Sequence, residues 1–104
     1  MRETRFTRHA AERLGELPLA LASKRELARR LDTVASKLPR GTEYVVLLGG
    51  LPTVALGERN GGDCYAVIAG GSIVTLYPRR SSQGVRGKDV GKSRLTIDVL
   101  EGLK

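Results

Sequence analysis

The sequence predicts an α+β fold: two N-terminal helices packed on one face of a four- to five-stranded antiparallel sheet, a meander. Apolar residues recur at helical spacing as far as residue 38, and from Tyr44 onward they fall in short β-rich blocks. Glycine-rich turns separate those blocks, and connections that short join antiparallel neighbours.

The first helix is expected over residues 7–15. Phe6, Ala10 and Leu14 stand four apart and form its core face, and Leu17-Pro18 ends it. Arg5, His9 and Arg13 also stand four apart, as a stripe on another face. The second helix is expected over 23–38, where Ser23 and Glu26 fit a capping box and Leu27, Leu31, Val34 and Leu38 form the apolar stripe. Leu38-Pro39-Arg40-Gly41 stops it. Strands follow at 44–48, 53–58, 64–69, 72–77 and 95–100, with turns at Asn60-Gly61-Gly62 and Gly70-Gly71. Residues 79–94, with Gly84, Gly87 and Gly91 among the bases, read as a mobile loop.

A chain of 104 residues holds one modest core, so a single domain over 1–104 is expected. No apolar run approaches the roughly 20 residues that span a bilayer. The N-terminus is charged from residue 2 and shows no apolar leader segment. No membrane association is therefore expected, and the cytoplasm is the default compartment. Cys64 has no second cysteine to pair with; one histidine and one cysteine need two carboxylates to complete a tetrahedral zinc site, and Glu58, Asp63, Asp89 and Asp98 are dispersed and show no ligand spacing. Neither a metal nor another cofactor is expected.

Charge is segregated along the chain. Residues 1–40 carry ten Lys/Arg against five Asp/Glu, residues 41–78 one against three, and residues 79–94 six against one. Two basic segments thus flank a nearly uncharged middle, an arrangement suited to a polyphosphate surface. Thirteen of the eighteen bases are arginine, whose planar fork grips phosphate at two points. With one Phe, three Tyr and no Trp, the chain lacks an aromatic platform for stacking bases, so binding led by phosphate is expected.

Three groups of residues bear on chemistry. His9 lies among Arg5, Arg8 and Arg13. A neutral imidazole there is a base for metal-free RNA cleavage, taking the 2′-OH proton while arginines stabilise charge on the phosphate. The alternatives are an idle exposed histidine or one held by Glu12. In Thr75-Leu76-Tyr77-Pro78-Arg79-Arg80, Thr75 and Tyr77 share one face of a strand and the arginines lie just beyond its end. That segment is a candidate phosphate or leaving-group site, with Tyr77 as proton donor or positioning group; a tyrosine at the sheet margin beside solvated arginines is the alternative. Gly87 to Ser93 imitates a P-loop, but Arg86 stands where the first glycine belongs and no parallel sheet and helix follow. Lys88 and Lys92 in it remain as a clamp on a nucleic-acid backbone. A Cys64–His9 nucleophilic pair is weakly supported, because Cys64 lies in an apolar run.

The phrase Phe6-Thr7-x-His9-Ala10-x-x-Arg13, followed by a helical stretch and a meander ending in Ile73-Val74-Thr75-Leu76-Tyr77, resembles small RelE-like and BrnT-like toxin proteins. These belong to the wider barnase, EndoU, colicin and RelE ribonuclease group. The resemblance covers residues 6–80. It implies a metal-independent endoribonuclease, often paired with an antitoxin, in which His9 and Arg13 match the helical motif and Thr75 and Tyr77 the terminal-strand motif. Position 17 is Leu where many relatives carry a second Arg, and the segment Ser81–Arg94 has no counterpart.

Three functions are therefore expected in turn. The first is a toxin-like endoribonuclease with His9 and Tyr77 as catalytic groups and Arg8, Arg13, Arg79, Arg80, Lys88 and Lys92 as the phosphate clamp. The second is a regulator that binds RNA or another nucleic acid without cleaving it. The third is a module whose basic faces meet an antitoxin or other acidic protein. The free edge of the meander also admits a homodimer.

Overall fold

The computed structural model describes residues 5–17, 19–49, 62–80 and 83–98. Helix α1 (Arg8–Glu16) and helix α2 (Leu21–Lys37) precede strands β1 (Tyr44–Gly49), β2 (Gly62–Ala69) and β3 (Ser72–Arg80). A 3₁₀ turn at Gly87–Asp89 leads into β4 (Ser93–Asp98). Among the described residues the fold is α+β, with the helices against one face of a four-stranded sheet ordered β3-β2-β1-β4.

The sheet is mixed, which corrects the expectation of a purely antiparallel meander. β1, β2 and β3 pair antiparallel, but β4 runs parallel to β1, with Tyr44 opposite Ser93 and Gly49 opposite Asp98. Parallel pairing needs a crossover of about a dozen residues. The connection from β3 to β4, described over 83–92, provides one and carries the chain from the β3 edge to the far side of β1. The last strand accordingly starts at Ser93 rather than residue 95, and residues 79–94 are not one long loop. The expected strand at 53–58 and the turn residues Asn60 and Gly61 lie outside the described residues.

The helical pattern places the main core as expected. Ala10, Leu27, Leu31 and Ala35 are buried against Val46, Leu48, Cys64, Ala66, Ile68, Ile73 and Leu76, with Phe6, Leu14, Val34 and Leu38 at its margin. The capping box at Ser23 does not form. α2 begins at Leu21 after Ala20, which makes no side-chain cap, and Glu26 pairs with Arg29. Its start is set by tertiary contacts: Leu17 and Leu19 enter the core, and Lys24 Nζ donates to the Gly15 carbonyl at 2.6 Å. At Gly70-Gly71 both φ angles are positive (61° and 81°), as a two-residue hairpin matched to strand twist requires.

A second, smaller cluster covers the opposite face of the sheet. Val45, Tyr65, Val67 and Tyr77 pack there beneath Val85 from the crossover. β3 reaches this face through a bulge, since Val67 faces Thr75 whereas Ile68 faces Ile73, leaving Val74 as the extra residue. Ile73 therefore points to the helices and Thr75 to the other side. No helix among the described residues is long and apolar enough to cross a membrane.

Candidate functional site

The site begins with how α1 is tied to the β3 edge. Residues 5–7 run parallel beside Ile73: the Ile73 amide donates to the Arg5 carbonyl at 2.7 Å, and the Thr7 amide to the Ile73 carbonyl at 3.0 Å. Thr7 is also the N-cap of α1, its hydroxyl accepting from the Ala10 amide at 3.1 Å and donating to the Val74 carbonyl at 2.9 Å. One hydroxyl thus fixes the first turn of the helix to the bulge. His9, in that turn, is held over the sheet edge.

A groove of about 400 Å³ opens at this place. His9, Val74 and Thr75 form one wall, Val67 and Ala69 of β2 the floor, and Arg86, Lys88, Asp89 and Lys92 of the crossover the other wall, with Glu43 at its end. His9 is exposed, and among the described residues no hydrogen bond or ion pair holds its imidazole. Glu12 turns instead toward Arg8, at 4.0 Å. Thr75 is largely buried and its hydroxyl donates to the Leu76 carbonyl at 3.4 Å, whereas His9 is accessible.

The crossover wall is built on Asp89. Its carboxylate is buried and accepts from Tyr77 Oη at 2.7 Å, Lys92 Nζ at 2.9 Å and Arg86 Nε at 3.1 Å. Burial alone would raise this carboxyl, but the hydrogen bonds from Lys92, Tyr77 and Arg86 prevail and hold it below the usual aspartate range. The same contact with Asp89 raises the Lys92 ammonium, which stays charged. The Arg86 guanidinium lies 3.8 Å above the Tyr77 ring centroid, and the Arg86 amide donates to Tyr77 Oη at 3.3 Å. These contacts pin the 3₁₀ turn to β3, so residues 86–92 of the expected mobile basic loop form an anchored wall.

Of the residues expected from the sequence, His9, Lys88 and Lys92 meet in the groove, and Thr75 of the strand motif joins them. Tyr77 does not line it. Its hydroxyl is committed to Asp89, and burial followed by that carboxylate contact pushes its pKa up. Arg8 and Arg13 stay on the outer surface of α1, paired with Glu12 and Glu16. Arg79 and Arg80 lie within β3 rather than beyond its end, opposite Asp63 and Gly62, and Arg79 Nε donates to the Gly84 carbonyl at 3.1 Å. Arg5 leaves the expected stripe, its guanidinium donating to the Gly71 carbonyl at 3.3 Å.

Sequence reasoning missed Arg86 and Asp89. Their signal was the i, i+3 pair across Gly87, read only as a failed P-loop. Cys64 is buried in the helix-side core, where burial, and then the charge of Asp63, push its thiol up to about 12. It is no nucleophile for His9. In the native protein Cys64 is expected to resist an aromatic disulfide reagent at pH 8 and to react fully in denaturant; fast native labelling would show that the helix layer opens readily.

Comparison with protein-family models, with curated proteins and with solved structures finds no match to this chain.

Proposed function

We propose that this protein is a metal-independent endoribonuclease and that the groove beneath His9 is its active site. The observation that carries the reading is the convergence of an accessible imidazole, a fixed hydroxyl and three cations, Arg86, Lys88 and Lys92, on one groove. Transesterification of RNA needs a base, an acid and positive charge around the phosphate. In this reading His9 takes the proton of the 2′-OH. The 2′ oxygen bonds to phosphorus, the bond from phosphorus to the 5′ oxygen breaks, and a 2′,3′-cyclic phosphate forms.

Lys92 is engaged with Asp89, whereas no ion pair holds the exposed Lys88 ammonium among the described residues. Lys88 is thus the group that gives a proton to the departing 5′ oxygen. Arg86 and Lys92 supply fixed positive charge, and Thr75 positions a phosphate oxygen. Tyr77 is a positioning residue that acts through Asp89 and Arg86. The resemblance of the Phe6–Arg13 phrase to RelE-like proteins agrees with this reading.

The test is incubation of the purified protein with total RNA and tRNA in EDTA. The expected result is discrete fragments ending in 2′,3′-cyclic phosphate, formed more slowly as salt rises. Salt-dependent retention of intact RNA would make the protein a binding regulator instead. Neither cleavage nor retention would leave an acidic protein, such as an antitoxin, as its partner.

A further inference from the structure

Lys92 lines more than the groove beneath His9. A second hollow, of about 470 Å³, lies beyond it and is lined by Gly41, Thr42, Gly91 and Ser93 together with Glu43, Lys88 and Lys92. The last three residues belong to both hollows, so they form a divide that faces each of them. The two lobes differ in character. The first has the imidazole and Thr75, and the second has two exposed hydroxyl residues, Thr42 and Ser93, together with Gly41 and Gly91.

We infer that the second hollow is a subsite for the ribose-phosphate backbone of the nucleotides adjoining those held in the first hollow, so that the ligand is an RNA strand longer than a dinucleotide. The inference rests on the reading of the first hollow as an RNA site. A ligand occupying both lobes must pass the Lys88–Lys92 divide and carry anionic charge on each side of it, which a nucleic-acid backbone does by its regular spacing of phosphates. The hydroxyls of Thr42 and Ser93 can donate hydrogen bonds to phosphate oxygens and to the ribose 2′ oxygen, acceptors that 2′-O-methylation leaves in place. Few aromatic residues are available for stacking, so the subsite grips the backbone and is tolerant of base sequence.

Glu43 sets the balance of charge. Its carboxylate is largely exposed, stands 3.7 Å from Lys92 Nζ and opposes any phosphate crossing the divide. It weakens binding, and its removal strengthens it.

The fold supplies a clean probe. At Gly91 a Cβ would meet nothing within 4 Å, and φ is not positive, so a side chain is accommodated without strain. Gly91→Glu therefore places a carboxylate at the second hollow, at a position that does not itself line the first. Binding is measured by anisotropy with labelled 2′-O-methyl RNA, which cannot be cleaved, as a dinucleotide and as a hexanucleotide.

The wild type is expected to bind the hexanucleotide more than tenfold tighter than the dinucleotide. Gly91→Glu is expected to remove about tenfold of that preference, to flatten the salt dependence by about 0.7 in log–log slope for each phosphate no longer held, and to weaken dinucleotide binding far less than hexanucleotide binding. Glu43→Gln is expected to tighten the hexanucleotide severalfold.

Equal hexanucleotide affinity in the wild type and a folded Gly91→Glu variant would overturn the subsite, even if RNA is cleaved. A preference for length that Gly91→Glu removes, in a protein that cleaves nothing in EDTA, would uphold the subsite and overturn the ribonuclease reading. Failure of the wild type to bind either strand would overturn both.

Discussion

His9→Ala is expected to slow RNA cleavage by about 10²- to 10⁴-fold, the range that a positioned acid or base contributes. Stability should stay within about 0.5 kcal/mol of the wild type, because the imidazole is exposed and without a described partner. The helix keeps its N-cap, since the hydroxyl and amide bonds that anchor α1 belong to Thr7. Binding of the 2′-O-methyl hexanucleotide should survive, because the cations of the crossover wall are untouched. The informative measurement is therefore a pair: initial cleavage rate in EDTA and affinity for the uncleavable strand. Loss of rate with retained affinity assigns His9 to the chemical step. Unchanged cleavage would remove it from the mechanism and leave the groove with cations and Thr75 alone.

Asp89→Asn should produce the largest loss of stability, about 3 kcal/mol, from a total that for domains of this kind is about 5–15 kcal/mol. The reason is geometric. Tyr77, Lys92 and Arg86 all donate to this one buried carboxylate. An amide there leaves the two cations without a counter-charge and turns an NH₂ donor toward at least one of the three donors. Tyr77 Oη and the Arg86 guanidinium would lose their common anchor, and the 3₁₀ turn would detach from β3. Urea unfolding at pH 7 measures the effect, and a loss under about 0.5 kcal/mol would show that Asp89 is dispensable to the wall.

The same carboxylate gives the acid dependence its sign. Its folded pKa is below the unfolded value, about 3.9, so in the window between them the unfolded chain binds more protons. Stability from Asp89 is thus full above the unfolded pKa and is lost as pH falls through the folded one. The gap between wild type and Asp89→Asn should be complete at pH 7 and narrow in acid. A gap that widened in acid would contradict the depressed carboxyl.

The helix layer was legible in the sequence because it is a local pattern. Ala10, Leu27 and Leu31 announce their faces through spacing, and the buried main core follows from them. The Gly70-Gly71 hairpin was equally legible, since two adjacent glycines meet the demand for two positive φ angles. His9 stood out as the single titratable imidazole in a basic segment. What spacing determined by itself was the class of fold, the apolar faces and one wall of the groove.

Only tertiary structure decided the rest. The parallel placement of β4 depends on which edge the crossover reaches, and no local propensity encodes that choice. The bulge at Val74 turned Thr75 toward the groove, while Tyr77 became the post on which the crossover rests. Arg8 and Arg13, the most conspicuous cations of the first segment, found carboxylates one turn away on their own helix, whereas Lys88 and Lys92 were carried across the sheet to face His9. Charge along a chain specifies how much of it there is; where it converges depends on contacts between residues far apart in sequence.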